Sequence, residues 1–137
     1  MLPVVVQAQF SFTTNNGALT ITGYSGPGGA VTIPSTNNDL LVTSIGDSAF
    51  YGCYRLTSVT IPNSVTNIGN NAFLGCSALT RVSIGNSVTA IGLGAFYFCI
   101  SLASVTLPNS VSSVGQEAFA CCISLASATI PNGPLSW

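Results

Sequence analysis

From residue 45 onward the apolar positions return every 23 residues: Phe50, Phe73, Phe96 and Phe119 share one phase, and Cys53, Cys76, Cys99 and Cys122 another. Around them the unit reads I-G-x-x-A-F-x-x-C-x-x-L-x-x-V-x-I-P-N-S-V-x-x, in four copies from Ile45 to Ser136. Within L-x-x-V-x-I the last apolar residues alternate with hydroxyl residues, which is the period of a half-buried strand with Ser58 and Thr60 facing outward. Pro62, Pro108 and Pro131 lack the N–H that a continuing ladder would use, and Gly85 replaces proline in the second copy, so each strand stops there. V-x-x-I, as in Val65 and Ile68, then predicts a second short inward-facing stretch. Ala49-Phe50-x-x-Cys53 places apolar groups at helical spacing and predicts a short helical turn, ended by Gly52 or Gly75.

A single unit buries too little apolar surface to offset its own chain entropy, so the units must stack. Rungs about 4.8 Å apart share ladder hydrogen bonds and side-chain contacts, and parallel crossovers favour a right-handed parallel solenoid. Ahead of the repeats, Phe10-Ser-Phe12-Thr and Leu19-Thr-Ile21-Thr flank Asn15-Asn16-Gly17, the signature of a β-hairpin. Residues 9–44 thus read as a hairpin cap and a degenerate first rung, in which Val31-Thr-Ile33-Pro34 repeats the strand ending and Val42-Thr-Ser-Ile45 the V-x-x-I step. Residues 45–136 hold the four repeats. The fourth copy is damaged, with Pro134 in place of valine and no polar capping unit after it, so the array is expected to be truncated there. Residues 1–8 end in Val6-Gln7-Ala8, which reads either as the remnant of a signal peptide or as a plain apolar strand.

Charge narrows the function classes. Only 4% of the 137 residues are charged, against about 25% in an ordinary domain, and the net charge is −1. Arg55 and Arg81 on different repeats cannot form the basic stripe that nucleic acid or an anionic membrane requires. Mean hydropathy is +0.60, yet polar residues interrupt every run, so no transmembrane segment is expected. There is no histidine, and Asp39, Asp47 and Glu117 do not pair as a carboxylate dyad, which argues against an enzyme. The glycines of Ser25-Gly26-Pro27-Gly28-Gly29 read as a turn, since a phosphate loop needs a following helix. Equivalent cysteines one rung apart stand too far from each other for disulfides and too linearly to surround a metal. They are read as a buried thiol ladder, with Cys121 as an odd residue where earlier copies carry glycine, and no cofactor is implied.

The run IGDSAFYGCYRLTSVTIPNSVTNIG closely resembles the BspA-like leucine-rich repeats of bacterial surface proteins, over about two-thirds of the chain. The resemblance implies a leucine-rich-repeat solenoid, a secreted or cell-surface location, and binding of protein or host matrix without catalytic residues. Departures are Gly85 for proline, Phe98 for glycine and the damaged last copy.

Two surfaces are candidates for contact. The outward strand positions form the ladders Ser58, Arg81, Ser104, Ser127 and Thr60, Ser83, Thr106, Thr129, a hydroxyl face suited to protein or glycan, with Arg81 interrupting it; β-propensity alone also selects such residues. On the turn side, Tyr51, Leu74 and Tyr97 share one repeat position and Tyr54, Ile100 and Ile123 another, an apolar and aromatic stripe that either anchors a partner or packs between rungs. A structural spacer in a longer fibre and ice- or crystal-surface binding through the hydroxyl ladder are the alternatives. Near-neutral charge leaves end-to-end self-association open.

Overall fold

The computed structural model describes residues 9–136; residues 1–8 and Trp137, and with them the signal-peptide reading, lie outside it. Twelve strands form in chain order: β1 (Phe10–Asn15), β2 (Ala18–Tyr24), β3 (Gly29–Thr32), β4 (Thr36–Asn37), β5 (Leu40–Ile45), β6 (Leu56–Thr60), β7 (Asn67–Ile68), β8 (Arg81–Ser83), β9 (Ala90–Ile91), β10 (Ser104–Thr106), β11 (Ser113–Val114) and β12 (Ser127–Thr129). They wind into a parallel β-solenoid of about five turns. One face carries the order β1-β2-β5-β7-β9-β11, with Ile45, Ile68, Ile91 and Val114 in register; the other carries β3-β6-β8 and then β10-β12.

The hairpin forms as its turn dipeptide requires. β1 and β2 pair antiparallel around Asn16 and Gly17, which both have positive φ (53° and 78°), the geometry of a two-residue hairpin turn matched to strand twist. β2 then pairs parallel with β5 and delivers Leu19 and Ile21 to the core. The insertion before Val42 folds back as β4 on β5 through Asn38 and Asp39, both left-handed.

The third side of each turn corrects the expectation from Ala-Phe-x-x-Cys. No helix is present among the described residues. Two left-handed residues four apart recur in every rung, at Ser48, Asn71, Gly94 and Glu117 and again at Gly52, Gly75, Phe98 and Cys121. A right-handed helix cannot pass through them. Backbone donors instead alternate. Ala49, Tyr51 and Cys53 donate three residues back within their own rung, whereas Ser48, Phe50 and Gly52 donate to Asn70, Ala72 and Leu74 of the next rung at 2.9, 2.7 and 2.8 Å. Phe73 N–H continues to Ala95 C=O, and Phe96 N–H to Ala118 C=O, each at 2.7 Å.

This arrangement stacks the core. Phe50, Phe73, Phe96 and Phe119 form a column with successive centroids 4.8, 5.1 and 5.3 Å apart and planes within 12° of parallel. Cys76, Cys99 and Cys122 are buried beside it, and each thiol donates to the carbonyl of Phe50, Phe73 or Phe96 at 3.1–3.3 Å. Cys53, in the first rung of the ladder, is half-buried, and all five cysteines are free. Glycine after each inward Ile is a packing requirement: a Cβ on Gly92 would stand 2.6 Å from the backbone N of Asn70 and C of Gly69.

Candidate functional site

The outward ladders form in the expected register. Ser58 lies beside Arg81 and Thr60 beside Ser83 on β6 and β8, and Ser104 lies beside Ser127 and Thr106 beside Thr129 on β10 and β12. Inward Val59, Val82 and Val105 are buried, which turns their neighbours outward; Thr60, Arg81, Ser83, Ser104, Thr106, Ser127 and Thr129 are exposed, and Ser58 is half-buried.

The face is nevertheless not continuous. Strand pairing stops between β8 and β10; among the described residues, the backbone bond joining these two rungs at this place is Ala103 N–H to Thr80 C=O at 3.3 Å. Elsewhere the residue after the strand donates to the next rung, as Ile61 does to Ser83 and Leu107 to Thr129, both at 2.8 Å. Among the described residues Ile84 has no such bond. It precedes Gly85, where the other copies have proline. Arg81, Ser83, Ile84, Ser104, Thr106 and Pro108 are among the residues that line a shallow cleft of about 340 Å³ at this break. Arg81 lines this cleft and makes no ion pair among the described residues. An uninterrupted flat lattice, the premise of the ice-surface reading, is absent from this face.

The aromatic stripe divides. Tyr51 and Tyr54 are 62% and 63% exposed, and Ile123 81%. Tyr97 is half-buried, edge-on to Phe98 with centroids 4.7 Å apart. A hydrogen bond with the Cys121 side chain, then its charge, holds the Tyr97 phenol above its usual pKa. Tyr97 and Leu74 therefore belong partly to inter-rung packing, while Tyr51, Tyr54 and Ile123 stand clear of it.

A further groove, of about 630 Å³, runs along the opposite sheet and was not among the expected surfaces. Asp47, Asn67, Asn70, Ser113 and Gln116 line it. Asp47 Oδ1 accepts Asn70 N–H at 2.7 Å and Asn70 Oδ1 accepts Leu93 N–H at 2.9 Å, so these side chains already serve the rungs. Their shared position two residues after each inward Ile was legible in the repeat, but nothing there distinguished a groove from a turn. Among the described residues no cluster of His, Cys, Asp or Glu could hold a metal ion, and no helix is long and apolar enough to cross a membrane.

Comparison with known proteins agrees with this architecture. The model described as BspA type leucine rich repeat region (6 copies) matches residues 30–136. The structure is similar to a leucine-rich repeat protein of T. pallidum (34% identity, TM-score 0.78, covering 90% of this chain and 70% of that one). It is also similar to a leucine-rich repeat protein of Bacteroides capillosus (29%, TM-score 0.80, covering 88% and 93%). A leucine rich cell surface protein of Faecalibacterium prausnitzii matches at 35% identity with a TM-score of 0.68, covering 90% of this chain and 41% of its own. No match is found among curated proteins. With its repeat, its parallel β-solenoid and its family model in agreement, the chain belongs to the BspA-type leucine-rich repeat family.

Proposed function

We propose that this chain is a non-enzymatic binding module of a secreted or cell-surface bacterial protein, which contacts protein or surface glycan through the outer hydroxyl face centred on Arg81. The observation that carries this reading is the cleft between β8 and β10, which Arg81, without an ion pair among the described residues, lines together with Ser83, Ser104 and Thr106. Planar guanidinium donors beside hydroxyl groups suit carboxylate and amide acceptors on a partner. Ser58, Thr60, Ser127 and Thr129 extend the same face, and Tyr51, Tyr54 and Tyr97 offer a second contact strip. Surface placement is supported by similarity to the Faecalibacterium cell surface protein. The residue inventory, without histidine or paired carboxylates, supports the absence of catalysis.

The test is a panel of immobilised extracellular-matrix proteins and glycans, probed with the wild-type chain and with Arg81→Ala of matched melting temperature. Loss of about tenfold or more in affinity supports the reading, as removal of a charge-assisted contact should produce. Binding of a panel member that Arg81→Ala leaves unchanged moves the site elsewhere. The regular Phe column favours a second reading, a structural spacer; it predicts that no panel member binds and that the variant behaves as wild type.

A further inference from the structure

Tyr24 closes the aromatic column at the hairpin end. Its ring stacks on Phe50 with centroids 5.4 Å apart and tilts against Phe10 at 5.2 Å, which fixes its position. Its hydroxyl accepts the Gly28 N–H at 3.4 Å and so keeps its own proton to donate. The Ser25–Gly29 turn closes tightly around this group: a Cβ on Gly26 would collide with the Tyr24 hydroxyl, and one on Gly28 would stand 2.5 Å from the Arg55 carbonyl oxygen. Gly29 N–H donates to the same carbonyl at 2.9 Å. Glycines with φ of 94° and 75° make this double attachment possible.

Between the turn and the next rung lies a pocket of about 270 Å³, whose lining includes Tyr24, Pro27, Cys53, Tyr54, Arg55 and Leu56. The Arg55 guanidinium lies 5.6 Å from the centroid of the Tyr54 ring, a cation–π contact that orients it. It makes no ion pair among the described residues. One guanidinium matches one negative charge, and its planar fork matches a carboxylate. A phosphate would call on backbone N–H groups as well, but those of Gly28 and Gly29 are engaged with Tyr24 and Arg55. The volume is below the range of about 300–1,000 Å³ typical of drug-sized ligands, which suits one sugar ring. Tyrosine rings and proline supply apolar surface for its C–H face, and the Tyr24 hydroxyl a donor for its oxygens.

We infer that this pocket binds a carboxylated sugar residue of the hexuronate type, with Arg55 on the carboxylate and Tyr24 and Tyr54 against the ring. The site shares no residue with the Arg81 cleft, so it stands whether or not that face binds a partner.

The test is ligand-observed NMR titration of the whole chain with D-glucuronate, D-glucose and benzoate. Glucuronate should bind saturably, with glucose and benzoate each weaker by about tenfold or more. Arg55→Gln should bring glucuronate down to the level of glucose, and Arg55→Lys should weaken it by a smaller factor. Arg55→Lys keeps the charge, so it separates loss of the planar fork from loss of folding, and melting curves accompany each variant. Absence of saturable glucuronate binding overturns the inference, as does an Arg55→Gln variant that binds like wild type. Benzoate binding as tightly as glucuronate overturns the assignment to a sugar.

Discussion

Phe73 lies face to face with Phe96, ring centroids 5.1 Å apart and planes 2° from parallel. That spacing is set by the backbone, because parallel rungs repeat at about 4.8 Å and identical side chains in register must repeat with them. Both rings are fully buried, so truncating one leaves a cavity that neighbours held by ladder bonds cannot fill.

Phe73→Ala should therefore cost about 3–5 kcal/mol, seen as a lower midpoint in urea unfolding monitored by circular dichroism. Phe119 is half-buried, and Phe119→Ala should cost less than half as much. Equal losses would show that the column is not what couples the rungs.

Phe98 and Cys121 occupy the left-handed position that Gly52 and Gly75 fill in the earlier rungs. A side chain there costs about 1–2 kcal/mol, while glycine adds about 0.5–1 kcal/mol of chain entropy. Cys121→Gly should thus stabilise the fold by up to about 1 kcal/mol, read as a rise in melting temperature. A lower melting temperature would mean that the contact with Tyr97 outweighs backbone strain.

The same residues show what the sequence could and could not reveal. The period of 23 predicts strands, registers and thiol ladder because each depends on which way a side chain faces, and periodicity reports facing; the hairpin is legible instead from the Asn16-Gly17 turn between alternating runs. The turn segment reads as helical because Ala-Phe-x-x-Cys carries the right spacing for a helix, whereas the left-handed φ is held by Ser48, Asn71, Gly94 and Glu117, of which only asparagine and glycine are recognisable αL formers. The break between β8 and β10 was invisible for a different reason. It is a loss of pairing between strands whose apolar pattern is intact, with Gly85 its nearest sequence trace. Arg55 was counted as a charge, but its pocket depends on a turn brought from 27 residues earlier, as Gly28 against Arg55 shows.

Gly92→Ala should be destabilising by more than about 2 kcal/mol, since its Cβ meets backbone of the preceding rung at 2.6 Å and overpacking against backbone cannot relax through a rotamer change. Gly133→Ala, with nothing within 4 Å, is the matched control and should change the urea midpoint little. Similar losses at both positions would refute the packing role of the Ile-Gly pair.

Burial raises the thiols of the ladder. Desolvation, helped by the neighbouring Cys122, lifts Cys99 from an ordinary 9.0 to about 12, and desolvation lifts Cys53, Cys76 and Cys122 as well. Above pH 9.0 the unfolded chain releases these protons while the folded chain keeps them, so stability is complete below that value and declines as pH rises toward about 12. Melting temperature should fall across that window. At pH 8 a disulfide reagent such as DTNB should label Cys121, which is exposed, much faster than Cys76 or Cys99; equal rates would show that the ladder opens readily.

The alternating hydrogen bonds of the turn side give the molecule an electrical direction. The peptide joining Ala72 to Phe73 accepts from Phe50 and donates to Ala95, and the one joining Ala95 to Phe96 repeats this one rung further on. Three such columns run side by side along the stack, so peptide dipoles add head to tail across separate rungs as they do within a helix. Their carbonyl pole, at Asp47, Ala49 and Tyr51, lies toward the hairpin. Their N–H pole, at Glu117, Phe119 and Cys121, has no backbone acceptor among the described residues. Glu117 stands where that pole favours a carboxylate. A molecule with a net charge of −1 is in this way polar along its axis, and any rung added to it can face only one way.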